Sequence, residues 1–504
     1  MAANKSIVIC SDGTGNTANK NRGTNVFKIF EAVDIYGHWL DPSLRPQVAV
    51  YDDGVGTQNF NLVRLLGGAF GFGLGKNIRQ LYTELIRVYE PGDSIYLFGF
   101  SRGAFTVRSL AAFIGICGIL DRAKLGSEDV QARVTEAYRT YRATFRDNGG
   151  KTKGAWDEAE SFRRKHSVVN EEHAPDGKVR IRFIGVWDTV DAVGLPFDEL
   201  SGVLNGIFRF KFPDYVLGDH VLRACHALSI DDERRTFHPL LWDEAGEKRN
   251  VGEEERIEQV WFPGVHSNVG GGYPKQGMSL VSMHWMLVKA KDAGLRFVGC
   301  DRHLLADHQN PFDKLYDSRA GLAVYYRYLP RDIGTMCRKH STVPKIHLSA
   351  IERVIQGSGG YAPGNIPVDC RVVVTEAPPM GLSHVSKEIA TALRGRTSPL
   401  DSVRPWVWLR HYSHLVFVAV SGAATGLILW DSYRLYCRVG ISSSNRGILN
   451  LVACMMLNLW LYGAVLLIVV VFYLIGLLVQ KRMERTFALF WCGLHDRLRG
   501  ILYP

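Results

Sequence analysis

The chain has few of the features that mark a disulfide framework or a structural zinc site. Its 504 residues include nine cysteines, and no two of them form a C-x-x-C pair. An odd, dispersed set of cysteines in apolar surroundings is typical of reduced thiols in a protein core. We therefore predict neither a disulfide scaffold nor a metal site, and no cofactor is expected.

Several other common signatures are also missing from the sequence. It contains no P-loop, no dinucleotide-binding fingerprint and no internal repeat. The first residues lead directly into a short strand without an apolar stretch of signal-peptide length, so no cleaved secretory signal is expected. The net charge of +10 comes without a dense Lys/Arg block, which argues against nucleic acid as a partner.

The most informative stretch is residues 93–108, where a strand-like apolar run is followed by apolar residues at helical spacing. Between the two lies G-x-S-x-G, formed by Gly99, Ser101 and Gly103. Glycines on both sides of the serine permit a turn that lifts its hydroxyl above a sheet edge, as in a nucleophile elbow. A chance Gly-Ser-Gly turn is the alternative interpretation, but the flanking strand and helix favour a nucleophile.

Upstream of Ser101, predicted strands alternate with helices. Strands are predicted at 6–10 and 47–51, and helices at about 24–36 and 77–90. This order predicts an α/β protein with an α/β-hydrolase-like, mostly parallel sheet, in which the strand C-termini meet at one edge.

A small glycine-containing loop after the first strand is the predicted oxyanion hole. In this fold the oxyanion donors come from the loop two strands before the nucleophile and from the N–H after the serine. Those positions are Gly13, Thr14 and Arg102. Asp12 in the same loop is open to two interpretations, a turn-forming residue or a residue that orients the loop.

The remaining triad members are expected at later strand ends. Asp188 follows a predicted strand at 179–186 and is the preferred acid, with Asp191 and Asp198 as competitors and a capping role as the alternative. His266, in a glycine-rich loop after the strand ending near Trp261, completes the order Ser, Asp, His.

Other histidines and segments leave alternatives open. His226 and His238 are the next candidates for the base. A helical insert at about 120–178 is either a lid or a structural layer, and an apolar stretch at 196–212 either faces lipid or packs on the core. A helix is predicted at about 215–229.

Five motifs together resemble those of one known family. They are the segments 11–16, 99–104, 185–190, 227–235 and 261–273. In this order they look like the Tle1-type phospholipases, the DUF2235 group of α/β-hydrolases, over roughly residues 5–370.

The resemblance implies particular roles for the same residues. Ser101 would be the nucleophile, His266 the base and Asp188 the acid that orients it. Characterised members of the family are antibacterial lipases of type VI secretion. The family often has Asp where this chain has Asn268, which leaves Asp188 as the predicted acid.

The C-terminal region holds the long apolar runs. After a catalytic domain at 1–375 and a linker at 376–408, a transmembrane hairpin is predicted at 409–480 and an amphipathic tail at 481–504. The stretches 411–430 and 447–480 contain no Asp, Glu, Lys or Arg, and 20 residues suffice to cross a bilayer. A buried hairpin in a large soluble domain is the alternative.

Arginines at the hairpin ends predict its orientation. More Arg and Lys flank the two spans than lie between them, which favours a cytoplasmic catalytic domain. The sequence therefore predicts a multi-pass, membrane-anchored serine hydrolase of lipid esters, most specifically a phospholipase. Its expected partners are the lipid substrate and the bilayer, and a regulatory protein or a second copy of the chain is a further possible partner.

Two other functions are alternatives. One is a non-enzymatic membrane scaffold that retains a hydrolase fold. The other is a phosphatase that uses acidic strand ends, but such chemistry needs an aspartate where this chain has Cys10.

Overall fold

The structure of the chain is a computed structural model. The structure describes residues 4–13, 23–54, 69–125, 129–145, 153–168, 178–191, 215–247, 255–376, 382–439 and 459–503. The predicted apolar stretch at 196–212, Thr14 and Asp198 lie outside these ranges.

A parallel sheet of eight strands organises the described part of the chain. Their spatial order is β2-β1-β3-β4-β5-β6-β7-β8, and each neighbouring pair is parallel. The strands are β1 Ser6–Ser11, β2 Gln47–Asp52, β3 Ser94–Phe100, β4 Ile181–Trp187, β5 Ala224–Ser229, β6 Ile257–Phe262, β7 Lys345–His347 and β8 Arg371–Val373. The predicted α/β class with a mostly parallel sheet is confirmed.

Helices cover both faces of this sheet and form the C-terminal region. In chain order they are α1 Asn25–Ala32, α2 Gly37–Leu40, α3 Ala69–Val88, α4 Arg102–Cys117, α5 Arg122–Leu125, α6 Val130–Ala143, α7 Lys153–His166, α8 His266–Gly270, α9 Gly277–Asp292, α10 Gly299–Asp307, α11 Ile333–Lys339, α12 Leu348–Gln356, α13 Leu382–Leu393, α14 Pro399–Ser402, α15 Arg404–Val439, α16 Leu459–Cys492 and α17 His495–Leu502. Short 3₁₀ turns occur at Arg235–Phe237, Gly321–Tyr325 and Ser358–Gly360.

The register of the strands aligns their carboxyl ends. Ser11 pairs with Gly99, Phe100 pairs with Trp187, and Ser229 pairs with Phe262. Parallel strands end at the same edge, so the residues that follow β1, β3, β4, β5 and β6 meet there. The loops predicted to carry function therefore converge.

Each face of the sheet has its own apolar core. On one face α3, α4 and the insert helices pack over strand residues that include Ile7, Ile95 and Ile184. On the other face α1 and α9 pack over residues that include Val8, Phe98 and Phe183. Burial on both faces is the normal environment of a parallel sheet and explains the nearly continuous apolar runs in central strands such as β1 and β3.

The predicted helix at about 215–229 is wrong, because its second half is strand β5. All six residues of Ala224–Ser229 are buried, and they pair with β4 and β6. A short apolar run that is buried on both faces lacks the alternation that identifies a half-buried strand, so its pattern does not separate it from a helix.

The predicted helical insert at about 120–178 contains α6 and α7, and both contribute to the core. Val134, Ala137, Tyr141 and Phe162 are buried in the same cluster as Phe113 of α4. These helices therefore form a structural layer against α4. Residues 169–177 of the insert lie outside the described part.

The predicted linker and tail both pack on the catalytic domain. Val385 and Ile389 of α13, within the predicted linker, are buried with Trp491, Leu494 and Leu498 of the tail. These buried side chains of the tail complete the core around β7 and β8.

The cysteines whose side chains the structure describes are free. Cys10, Cys117, Cys225, Cys337 and Cys370 are buried, and Cys492 is exposed. Burial raises the pKa of the buried thiols, so these groups stay protonated and pack as small apolar side chains.

Candidate active site

Ser101 lies on a strained turn between β3 and α4. Its φ of 58° and ψ of −121° are unusual for a residue with a side chain, and its hydroxyl makes no capping bond to α4. A serine at this position normally accepts a hydrogen bond from the helix. A strained turn of this kind between a strand and a helix is the backbone geometry of a nucleophile elbow.

Both glycines of the motif are required by close backbone contacts. A Cβ at Gly103 would lie 2.0 Å from the carbonyl oxygen of Ser11, and a Cβ at Gly99 would lie 2.7 Å from the backbone of Ala104. The two glycines therefore let α4 start directly against β1 and β3.

Asp188 and His266 form the central pair of the site. Asp188 follows β4, His266 begins α8 after β6, and the distance from Asp188 Oδ2 to His266 Nδ1 is 2.5 Å. Asp188 also has a positive φ, of 39°. Both side chains are buried, so the pair is shielded from solvent.

The His266 ring is fixed between two aromatic rings. The centroids of Phe100 and Phe237 lie 4.6 and 5.0 Å from the centroid of the imidazole. Phe100 immediately precedes Ser101, so this packing holds the histidine beside the end of β3. Among the described residues, the buried Nε2 atom of His266 has no hydrogen-bond partner. That atom is the one a general base keeps for its nucleophile.

The protonation states of the pair suit acid–base chemistry. Burial lowers the pKa of His266, although the bond to Asp188 opposes this effect. Burial alone would raise the pKa of Asp188, but the charge and hydrogen bonds of Arg331 hold it well below its usual range. A neutral imidazole thus faces an ionised carboxylate at neutral pH.

The carboxylate of Asp188 is also held by groups other than the histidine. Ser229 donates its backbone N–H to Oδ1 at 3.0 Å and its hydroxyl to Oδ2 at 3.1 Å. Arg331 donates Nη1 to Oδ1 at 2.6 Å and Nη2 to Oδ2 at 2.8 Å. The sequence carried no signal for Arg331, which lies 143 residues from Asp188 with no motif around it.

The competing residues lie in other environments. His226 Nε2 accepts the backbone N–H of Thr189 at 3.1 Å, and His238 Nε2 lies 2.9 Å from the carbonyl oxygen of Leu329. Burial lowers the pKa of His226 to about 3 and that of His238 to about 4. Asp191 follows Asp188 by three residues, and it is Asp188 that the Nδ1 atom of His266 contacts.

The first-strand loop is organised by Asp12. Its Oδ1 accepts the N–H of Gly13 at 2.6 Å, and its Oδ2 accepts the hydroxyls of Thr24 at 2.5 Å and Tyr51 at 2.7 Å. These bonds support the role of Asp12 as a residue that orients the loop. The Gly13 N–H is therefore engaged, whereas Arg102 opens helix α4 directly after Ser101.

Asn268 occupies a structural position next to the site. Its Nδ2 donates to the carbonyl oxygen of Lys314 at 3.0 Å, and its Oδ1 accepts the N–H of Tyr316 at 3.2 Å. The amide thus needs both its donor and its acceptor, which an Asp at this position could not supply.

Within the described ranges, no group of three or more His, Cys, Asp or Glu side chains is placed to hold a metal ion. The geometry instead brings together a serine on a strained strand-to-helix turn and a buried Asp–His pair at the same sheet edge. Fold and site together define an α/β protein with a candidate serine-hydrolase centre.

Comparison with known proteins identifies the family. The model of the catalytic domain of Tle1-like phospholipase effectors of type VI secretion matches residues 5–289, more than half of the chain. The chain therefore belongs to this family.

Two individual proteins are also similar. The uncharacterized protein YEL023C of Saccharomyces cerevisiae is 28% identical over 258 residues, which cover 48% of this chain and 33% of the yeast protein. The crystal structure of an uncharacterized protein from Pseudomonas aeruginosa aligns with a TM-score of 0.34 and 17% identity, covering 78% of this chain and 60% of that one. A score this low carries no argument about fold or function.

Proposed function

We propose that the chain is a membrane-anchored serine hydrolase that cleaves carboxylic esters of lipids, with phospholipids as the substrate class. The observation that carries this proposal is the 2.5 Å bond between Asp188 and His266, beside the strained turn of Ser101. Membership in the Tle1-like family supports the lipid substrate.

The proposed chemistry gives one role to each of the three side chains. Ser101 Oγ attacks the ester carbonyl carbon while His266 Nε2 takes its proton, and Asp188 stabilises the imidazolium through Nδ1. The imidazolium then protonates the departing alkoxide, which leaves an acyl-serine. Water, activated by the same imidazole, releases the fatty acid and restores the serine.

The oxyanion of the tetrahedral intermediate needs preorganised N–H donors. The backbone N–H of Arg102 is the proposed principal donor, because it lies at the N-terminus of α4 immediately after Ser101. Thr14 is the proposed second donor, with Gly13 shaping the loop, since the Gly13 N–H is bonded to Asp12.

An active-site probe tests the nucleophile without knowledge of the true substrate. A fluorophosphonate should label the full-length protein and should not label Ser101→Ala. Ser109→Ala is the matched control, because Ser109 is a buried serine two turns further along the same helix. Equal labelling of wild type and Ser101→Ala would remove Ser101 from the mechanism and favour the non-enzymatic scaffold.

Lipid analysis tests the substrate class. After expression of the wild type beside Ser101→Ala, mass spectrometry of the host lipids should show lysophospholipid and free fatty acid only with the wild type. Unchanged lipids together with intact probe labelling would leave a serine esterase but refute membrane phospholipid as its substrate.

The anchor is proposed from two helices long and apolar enough to cross a membrane, Arg404–Asp431 and Trp460–Cys492. A hairpin buried in a soluble domain would cover its leucines, yet Leu466, Leu467 and Leu478 are 63%, 63% and 68% exposed. Leaving such a surface in water is unfavourable by about 25 cal/mol per Å², whereas a bilayer removes that penalty.

Extraction and labelling test the anchor and its orientation. The full chain should resist alkaline carbonate, and replacing Leu466, Leu467 and Leu478 by Gln should release it. The catalytic domain is proposed to face the cytoplasm, so an impermeant thiol reagent should reach Ser443→Cys from outside intact cells and should not reach Ser127→Cys. Release of the wild type, or labelling of Ser127→Cys alone, would overturn the anchor or its orientation.

A further inference from the structure

Arg331 is a charged residue enclosed within the site. It is fully buried, and its guanidinium forms a two-pronged contact with both oxygens of Asp188. The same two nitrogens also donate to the carbonyl oxygens of Ser229 and Phe237, each at 2.5 Å. One side chain thereby joins the ends of β4 and β5 to the turn that carries Phe237.

Phe237 connects this contact to the base. Its ring packs edge-on against the His266 imidazole at 5.0 Å, while its carbonyl oxygen is held by Arg331. Arg331 therefore fixes both the Asp188 carboxylate, which accepts the hydrogen bond from His266, and Phe237, which packs against the imidazole.

The segment that delivers Arg331 is held on two sides. On one side the N–H of Leu329 donates to Glu233 O at 2.9 Å. On the other, His411 Nδ1 lies 2.7 Å from Tyr328 O, and the Arg410 guanidinium stacks 3.7 Å above the Tyr328 ring. His411 and Arg410 belong to the base of the hairpin helix α15, and the whole segment lies beyond the region matched by the family model.

We propose that Arg331 is a positioning residue of the catalytic centre, which locks the Asp188 carboxylate in the orientation that accepts the hydrogen bond from His266 Nδ1–H. This inference rests on the proposed serine mechanism. A planar guanidinium that bonds both carboxylate oxygens restricts rotation of the carboxylate as a lysine could not.

Several charged groups surround the pair and bear on its titration. Asp188 is faced by Arg331, His266 and the buried His226, while His266 is also influenced by Asp232 and Arg234. Removal of Arg331 leaves Asp188 buried without its strongest stabilising charge, so its pKa rises. Nucleophile activation should then fail at a higher pH than in the wild type.

The test measures the second-order rate constant of fluorophosphonate labelling at Ser101 as a function of pH. Arg331→Ala should lower it by roughly 10²–10³-fold, because the imidazole loses a fixed orienter. Arg331→Lys should lower this rate constant by about 10-fold, because lysine keeps the positive charge but cannot bond both carboxylate oxygens at once. Added guanidinium ion, at a non-denaturing concentration, should restore part of the rate to Arg331→Ala.

Arg353 provides the matched control. It is buried too, and its Nη1 holds the carbonyl oxygens of Pro311 and Asp313, the latter at 2.8 Å, without contact to the triad. Arg353→Ala and Arg353→Lys should leave the acid limb of the pH profile in place and should not respond to guanidinium.

The outcomes separate this inference from the serine mechanism. Labelling of Arg331→Lys at the wild-type rate with an unmoved acid limb overturns the role of Arg331 while Ser101-dependent labelling persists. A folded Arg331→Ala that guanidinium fails to rescue also overturns it. Absence of Ser101-dependent labelling in the wild type refutes the serine mechanism, and the positioning role with it. Should Arg331→Ala not fold, Arg331→Lys alone decides.

Discussion

Replacement of Asp188 by Asn should nearly abolish activity while testing how much of the fold depends on the same carboxylate. Asp188 accepts hydrogen bonds from His266, from the N–H and hydroxyl of Ser229 and from both terminal nitrogens of Arg331. The Asn side chain has one accepting oxygen and one donating nitrogen. Its NH₂ group would therefore face at least one of these donors, and that hydrogen bond would be lost.

The magnitude follows from these contacts. With the acid lost, His266 is no longer held with its proton on Nδ1, and turnover should fall by about 10⁴-fold, as expected for loss of the orienting carboxylate. The fully buried Arg331 also loses its counter-ion, and breaking a buried ion pair costs about 3–5 kcal/mol. The variant should therefore be both inactive and less stable.

Two measurements on purified full-length protein check this expectation. Ester hydrolysis and the fluorophosphonate labelling rate report activity, and thermal unfolding in detergent reports stability. Asp191→Asn is the control, because it removes a carboxylate three residues further along the same loop. Activity of Asp188→Asn within tenfold of wild type, or a larger loss in Asp191→Asn, would refute the assignment of the acid.

Three further results are expected. Burial lowers the pKa of His266, whose neutral form is the base. The value of kcat/KM should therefore persist below the ordinary histidine pKa of about 6.5 and fall only as the pH drops through the lowered pKa. An acid limb above about pH 7 would contradict this. Gly103→Ala should lower the free energy of unfolding by about 1–3 kcal/mol, because its Cβ would lie 2.0 Å from the carbonyl oxygen of Ser11. Gly154→Ala has open space around it and should leave thermal stability unchanged or raise it. The reverse ranking would count against the packing of the serine turn. His411→Ala removes the contact to the Arg331 segment and should slow fluorophosphonate labelling several-fold without altering carbonate extraction; an unchanged rate would show that the hairpin base does not support the site.

The local sequence pattern was sufficient to predict the sheet and its main functional loop. Alternating strands and helices predicted the parallel sheet, and the G-x-S-x-G motif between an apolar strand and a helix predicted the turn at Ser101. The prediction failed at Ala224–Ser229, because burial on both faces removes the alternation that distinguishes a strand.

The contacts between side chains of the candidate site were only partly predictable. The order of strand ends led to Asp188 and His266, and the structure brings these two side chains together at 2.5 Å. It also shows the Gly13 N–H bonded to Asp12, which no loop pattern could reveal. The catalytic roles of all three proposed triad residues stay predictions until the variants are measured.

By itself the sequence determined the alternation of strands and helices up to Ser101, the turn at that serine and the two apolar helices. Turns, helical periodicity and long uncharged runs all depend on neighbouring residues. Only the tertiary structure showed that Arg331 donates hydrogen bonds to Asp188 and that Trp491 of the tail is buried in the catalytic domain. The physical reason is that such contacts depend on chain segments more than a hundred residues apart, whose approach is fixed by packing of the whole domain and leaves no local pattern.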